Sequence, residues 1–184
     1  MSPIDSPNAS PPSAPQASAQ SNSEQSAPRL KVGLSDAAVA DDGAVLVTSG
    51  LGSCLGVALY DSNAGVGGLL HAMLPVAEGR PGDPEKFVVD GIDATIDAMV
   101  DAAADPAALR AKIAGAAEMI AFDTVADDGS VGDRNVAAAE SALRERGIPV
   151  DAADTGGDRG RSLRFHTDSG ALTVSYAGGE TVVL

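Results

Sequence analysis

Cys54 is the only cysteine of the chain and His71 one of its two histidines. Cys54 lies in Gly50-Leu51-Gly52-Ser53-Cys54-Leu55-Gly56, and His71 follows after a predicted hairpin. A lone thiol closes no internal disulfide, and a cysteine that the fold brings beside a histidine can act as a nucleophile with its base. The same thiol among Val, Leu and Ala also suits a small buried hydrophobe. The residue types alone leave both roles open.

Whether the two residues meet depends on the elements that carry them. Leu55 to Tyr60 and Val66 to Met73 are apolar, β-rich runs joined by Asp61-Ser62-Asn63-Ala64-Gly65, whose Asp, Asn and Gly tolerate turn geometry. They read as adjacent antiparallel strands. With the turn centred between Ser62 and Asn63, Cys54 stands directly opposite His71 on the same face, with Cβ atoms roughly 5 Å apart. A slip of one residue would put them on opposite faces, and a bulge at Gly67-Gly68 could absorb such a slip.

The rest of the chain supplies the layers around this hairpin. Leu30 to Leu34 and Ala44 to Thr48 are β-leaning runs separated by Asp41-Asp42-Gly43. After the breakers Pro75 to Pro84, a helix is expected from about Glu85, with Val88, Val89, Ile92, Ile96, Met99 and Val100 at helical spacing. Asp90, Asp93, Asp97 and Asp101 fill its other face, which reads as a solvated surface. Ala111 to Ile120 is ambiguous between strand and helix, although Lys112-Ile113-Ala114-Gly115 favours a buried strand. Asn135 to Arg146 reads as a second helix ended by Gly147. Ile148 to Ala153, Arg161 to Thr167, Ala171 to Tyr176 and Thr181 to Leu184 read as strands, with Asp168-Ser169-Gly170 as a turn. Strands in groups around two helices suggest an α+β layered fold.

Length and charge bound the function. The 184 residues, 44% hydrophobic, suit one domain plus a tail. Residues 1–28 hold six of the eleven prolines among Ser, Ala, Gln and Asn, so a disordered tail is expected there, with a single domain over 29–184. The tail lacks the pattern of a secretory signal, and no run reaches the length of a membrane span, so a cytoplasmic protein with a reduced thiol is expected. The 26 acidic residues outnumber 12 basic ones, for a net charge of -14. Such a surface repels nucleic acid and anionic membranes, so neither nucleic acid nor membrane insertion is expected. An acidic, Lys-poor, Ala-rich chain also reads as a protein of a high-salt cytoplasm, where screening relieves self-repulsion.

Five segments recur in order: Thr48-Ser49-Gly50-Leu51-Gly52-Ser53-Cys54, Gly67-Gly68-Leu69-Leu70-His71-Ala72-Met73-Leu74-Pro75, Lys112-Ile113-Ala114-Gly115-Ala116-Ala117, Gly132-Asp133-Arg134-Asn135, and Asp154-Thr155-Gly156-Gly157-Asp158-Arg159-Gly160-Arg161. Together they resemble the chemoreceptor glutamine deamidase family, CheD, over roughly residues 31 to 184. With the acidic composition, the resemblance points to a halophilic archaeon. It implies deamidation of glutamines in methyl-accepting chemotaxis receptors in the cytoplasm, with the phosphatase CheC as a partner and no cofactor. It also implies a β-sandwich with helices packed outside, similar to the catalytic domains of deamidating toxins. The family nucleophile falls on Cys54, its general base on His71 and its third polar active-site residue on Thr48. Two positions depart from the family pattern: Ala116 stands where a second Gly is usual, and Ser49-Gly50 replaces Leu-Gly.

A thiolate can attack the unreactive carboxamide carbon, and an adjacent imidazole can favour the thiolate and protonate the departing ammonia. The Gly52-Ser53-Cys54 backbone is small enough for a peptide to approach, and its N–H groups are candidates to face the oxyanion. Thr48 would orient the His71 ring. Thr155, Gly156, Gly157, Arg159 and Arg161 are candidates for the rim of the substrate cleft, and equally for a tight structural loop.

Asp154-Thr155-Gly156 copies an aspartic-protease signature, but its required second copy is absent. His166 shares a strand face with Arg164 and reads as a surface residue. One Cys and two separated His make no zinc set, so no metal is expected. Two other readings stand beside deamidation: a binding module controlling CheC with little catalysis, and a general cysteine peptidase or amidase.

Overall fold

The computed structural model describes residues 27–41, 43–118 and 129–184. The expected tail through residue 26, and the end of the Ala111 to Ile120 run, lie outside the described residues. The elements are β1 (Arg29–Lys31), β2 (Asp36–Ala40), β3 (Val45–Leu51), β4 (Leu55–Asp61), β5 (Val66–Ala72), α1 (Val88–Asp101), β6 (Arg110–Gly115), α2 (Val131–Glu145), β7 (Val150–Thr155), β8 (Arg161–His166), β9 (Leu172–Tyr176) and β10 (Thr181–Val183). One five-stranded sheet runs β1-β3-β8-β9-β10 and the other β2-β5-β4-β6-β7. Both are mixed, because β1 pairs with β3 and β6 with β7 in parallel.

The fold is an α+β layered sandwich. Strand alternation sorts the apolar residues into two cores. Leu46, Leu51, Ala58, Leu69, Ala114, Leu163 and Phe165 fill the space between the sheets. Val57, Leu59, Leu70, Val88, Ile92, Met99, Ile113 and Leu143 fill the space between the second sheet and the helices. Strands β4 and β5, buried over all seven residues each, form the middle layer and read as continuous apolar runs for that reason.

The hairpin register differs from the sequence expectation. Gly56, and not Cys54, stands opposite His71, and Leu55 stands opposite Ala72. The Asp61 carboxylate accepts the N–H groups of Asn63 and Ala64, and the Gly65 N–H closes back on the Asp61 carbonyl at 2.9 Å. This Asp-led turn centres the loop between Asn63 and Ala64, one residue later than expected. The shift moves each opposed pair by two positions, so the face of every residue is kept. No bulge occurs at Gly67-Gly68, and the β4 to β5 pairing is continuous.

Other differences are local. Strand β2 was not expected, because Asp-Ala-Ala-Val-Ala has weak β propensity; it forms by pairing along β5. A short 3-10 turn, Pro84–Lys86, precedes α1, and Val100 of the expected apolar stripe is exposed. Helix α2 starts at Val131, four residues before the expected Asn135, because Ser130 and Asp133 form a reciprocal capping box.

Candidate active site

Thr48 comes from β3 in one sheet and His71 from β5 in the other, and both side chains are buried in the space between the sheets. Thr48 Oγ1 and His71 Nδ1 lie 2.8 Å apart. The other ring nitrogen, His71 Nε2, is buried with no hydrogen-bond partner among the described residues. A neutral imidazole with Nδ1–H donating to Thr48 leaves Nε2 as a free base.

Cys54 is half-buried in the turn that connects β3 to β4. It precedes β4 by one residue and lies two positions before Gly56, the residue that stands opposite His71. It is displaced by two residues from the position opposite His71, a diagonal and not a directly opposed pair. Opposite the ring, a Cβ on Gly56 would collide with Leu163 Cδ1, so glycine lets the sheets close over the Thr48–His71 pair.

The Cys54 turn is held from one side. The carbonyls of Gly52, Ser53 and Cys54 accept in sequence from Ala117 N–H at 2.7 Å, Asn135 Nδ2 at 2.9 Å and Ala116 N–H at 2.7 Å. In a trans peptide the N–H points opposite to the preceding carbonyl. The N–H groups of Ser53 and Cys54 are therefore directed away from the scaffold, and neither donates to another described residue. This geometry suits them to receive an oxyanion.

Asn135 was quoted in the sequence only as part of a motif, yet it joins both halves of the site. Its buried Nδ2 donates to Ser53 O at 2.9 Å and to Met73 O at 3.2 Å, one residue before Cys54 and two after His71. A sequence signal existed: Asn135 heads the apolar stripe Ala139, Ala142 and Leu143 of α2, where a buried polar residue must find partners.

The candidate rim residues lie to one side. Leu55, Gly115 and Thr155 form one row across β4, β6 and β7, which sets Thr155 roughly 10 Å from the β4 start. Gly156 N–H donates to Gly115 O, and Gly157 O accepts from Glu118 N–H. Arg161, with only 4% of its side chain exposed, is consumed by Asp154 Oδ1 at 2.9 Å and Gly156 O at 2.8 Å. Arg159 is half-exposed, pairs with Glu180 and stacks on Tyr176 with 4.2 Å to the ring centre. His166 is half-buried on the outer face of β8. Among the described residues no three His, Cys, Asp or Glu side chains gather as a metal set.

Burial shifts both reacting groups toward their neutral forms. It pushes the Cys54 thiol above its ordinary 9.0, an effect its own backbone N–H partly offsets. It holds the His71 imidazole below its ordinary 6.5. At neutral pH the pair therefore rests as thiol and free base, so proton transfer to His71 must accompany attack.

The family model described as CheD chemotactic sensory transduction matches residues 73–176. Two similar proteins come from halophilic archaea, in keeping with the acidic composition. One, from Natronomonas pharaonis, is 46% identical over 85% of this chain and 93% of its own length. The other, from Haloarcula marismortui, is 43% identical over 88% of this chain and 93% of its own. Each is named a probable chemoreceptor glutamine deamidase CheD. A solved Neisseria meningitidis protein of the DUF152 family model aligns with 78% of this chain and 76% of its own at 16% identity and a TM-score of 0.49. No described helix is long and apolar enough to cross a membrane. With the family model matching more than half of the sequence and relatives aligned along most of it, the chain belongs to the CheD family.

Proposed function

We propose that this protein deamidates glutamine side chains of methyl-accepting chemotaxis receptors, with Cys54 as nucleophile, His71 as base and acid, and Thr48 as the residue that orients the ring. The observation that carries this reading is the buried Thr48–His71 hydrogen bond of 2.8 Å, which leaves His71 Nε2 unpartnered among the described residues, with Cys54 two positions from Gly56, the residue opposite His71. The names of the relatives support the substrate class.

In this mechanism Cys54 Sγ attacks the carboxamide carbon while its proton passes to His71 Nε2. Negative charge forms on the carboxamide oxygen, toward the Ser53 and Cys54 N–H groups. The imidazolium gives its proton to the leaving nitrogen, the C–N bond breaks, and ammonia departs from a thioester. His71 then takes a proton from water, the hydroxide attacks the thioester, and glutamate and the Cys54 thiol are released. Thr48 fixes the ring through each of these proton transfers.

The reaction adds a negative charge to the receptor, and an acidic enzyme surface disfavours rebinding of the product. The family resemblance is the support for a cytoplasmic activity and for CheC as a regulatory partner.

Intact-mass spectrometry and ammonia release on a receptor helical fragment in high salt test the reading. Gln-to-Glu conversion by wild type, lost in Cys54→Ala and in His71→Ala, is expected. Peptide-bond cleavage, or no conversion by folded wild-type protein that still binds CheC, would overturn it.

A further inference from the structure

One face of this acidic molecule is cationic. The register of the first sheet lays out its outer surface in rows. Lys31 pairs with Val47 and Val47 with Arg164, while Arg29 lies one step along β1 opposite Val45. Beside them runs a row of hydroxyls, in which Ser49 pairs with Ser162 and Ser162 with Ser175. These residues alternate with the core side chains Leu46, Leu163 and Val174, so they face away from the sandwich. The helices pack on the other sheet and leave this face uncovered among the described residues.

The chain has 26 acidic residues against 12 basic ones, yet the rows just described contain no carboxylate. Five arginines elsewhere, Arg80, Arg110, Arg146, Arg159 and Arg161, are paired with Asp or Glu. Arg29, Lys31 and Arg164 are exposed, and none of them makes a salt bridge with another described residue. They line a shallow groove of about 270 Å³ with Ser49, Ser162 and Ser175, a volume that accepts side chains and not a buried ligand.

The spacing argues for several anions held apart. Lys31 and Arg164 are two strands from each other, about 10 Å, and Arg29 lies about 7 Å along the strand from Lys31. One phosphate cannot span these three cations. A long polyanion would meet the repulsion of the remaining surface, with a net charge of -14 over the whole chain. A short segment bearing two or three carboxylates satisfies both conditions, because guanidinium and hydroxyl groups bind carboxylates at contact range.

We propose that the outer face of the β1-β3-β8-β9 sheet docks a carboxylate-rich segment of a partner protein, held by Arg29, Lys31 and Arg164 and by the hydroxyls beside them. Ser49 is the link to the rest of the molecule: it follows Thr48 on β3 but faces the opposite side. The proposal does not depend on the deamidation reading.

The test is titration of the full-length protein with a fluorescent Glu-rich helical peptide, at the lowest salt at which circular dichroism shows the fold intact. Saturable binding is expected, weakened about tenfold in Arg29→Glu/Lys31→Glu/Arg164→Glu and progressively by added salt. If charge reversal disturbs the fold, Arg164→Gln replaces it, with about a threefold loss expected. Absence of saturable binding by wild type, or equal affinity in the folded variants, would overturn the proposal. Equal competition by inorganic phosphate or by single-stranded DNA would also overturn it, since the face would then be a general anion surface.

Discussion

Thr48 Oγ1 bonds His71 Nδ1 at 2.8 Å across the space between two sheets, so the ring orientation depends on how the sandwich closes. Thr48→Val keeps the shape of the side chain and removes only the hydroxyl. It is expected to lower kcat about 10²-fold with little change in KM, since small losses of orientation at the reacting group carry penalties of this order. Thr48→Ser restores the hydroxyl and most of the rate. Wild-type kcat in Thr48→Val would sink the positioning role.

The shifted acidities set the pH profile. His71 is held below 6.5 by burial and Cys54 is pushed above 9.0, so thiol and free imidazole coexist between those values. The acid limb of kcat/KM should fall below pH 6.5, with no loss of activity from there to about pH 9. Burial of a neutral His71 also adds stability above pH 6.5. That stability is lost as pH falls through the depressed folded value, because the unfolded chain takes up the proton first. An acid limb above pH 7, or thiolate ultraviolet absorbance in the free protein at pH 7, would instead indicate a resting thiolate and imidazolium pair.

Asn135 fixes two backbone carbonyls on either side of the site. Asn135→Ala should lower stability by about 2 kcal/mol, roughly 1 kcal/mol for each lost hydrogen bond, and should lower kcat further than the melting shift explains. Asn135→Asp is expected to be worse, because its carboxylate would face the Ser53 and Met73 carbonyl oxygens. Thermal melts paired with ammonia release separate the two effects. A variant with full activity while folded would leave Asn135 a purely structural residue.

Much of this site was legible because strand alternation survives register error. The turn was placed one residue too early, and every paired residue of β4 and β5 still keeps its face, since a shift of two positions preserves parity. The Thr48 to His71 bond was legible only through the family resemblance. Its partners lie on different sheets, and no periodicity within one strand relates them. Strand β2 was not legible, because its Ala-rich sequence takes its conformation from the edge of β5. Ala116, where the family resemblance implies a Gly, sits at a φ of 58°, a left-handed conformation that glycine adopts without strain. The roles of Asn135 and Asp61 were hidden for a common reason: each acts on backbone groups whose positions exist only after folding.

Asp61 carries the register of the hairpin. Its buried carboxylate accepts from Asn63 and Ala64 within the turn and from Asp105 N–H at 2.9 Å beyond α1. These bonds, the one from Asp105 foremost, hold its pKa below the ordinary 3.8. The carboxylate therefore contributes stability that is present above pH 3.8 and lost as pH falls through the lower folded value. Asp61→Ala should cost about 3 kcal/mol, measured by chemical denaturation, because several donors to one charged acceptor lose their partner together. Asp61→Asn retains one acceptor oxygen and should cost less. Since this turn sets which residue faces His71, Asp61→Ala should also reduce deamidation in protein that is still folded. A destabilised variant with an unchanged rate would show that pairing with β2 and β6, on either side of the hairpin, is enough to hold the register without the turn.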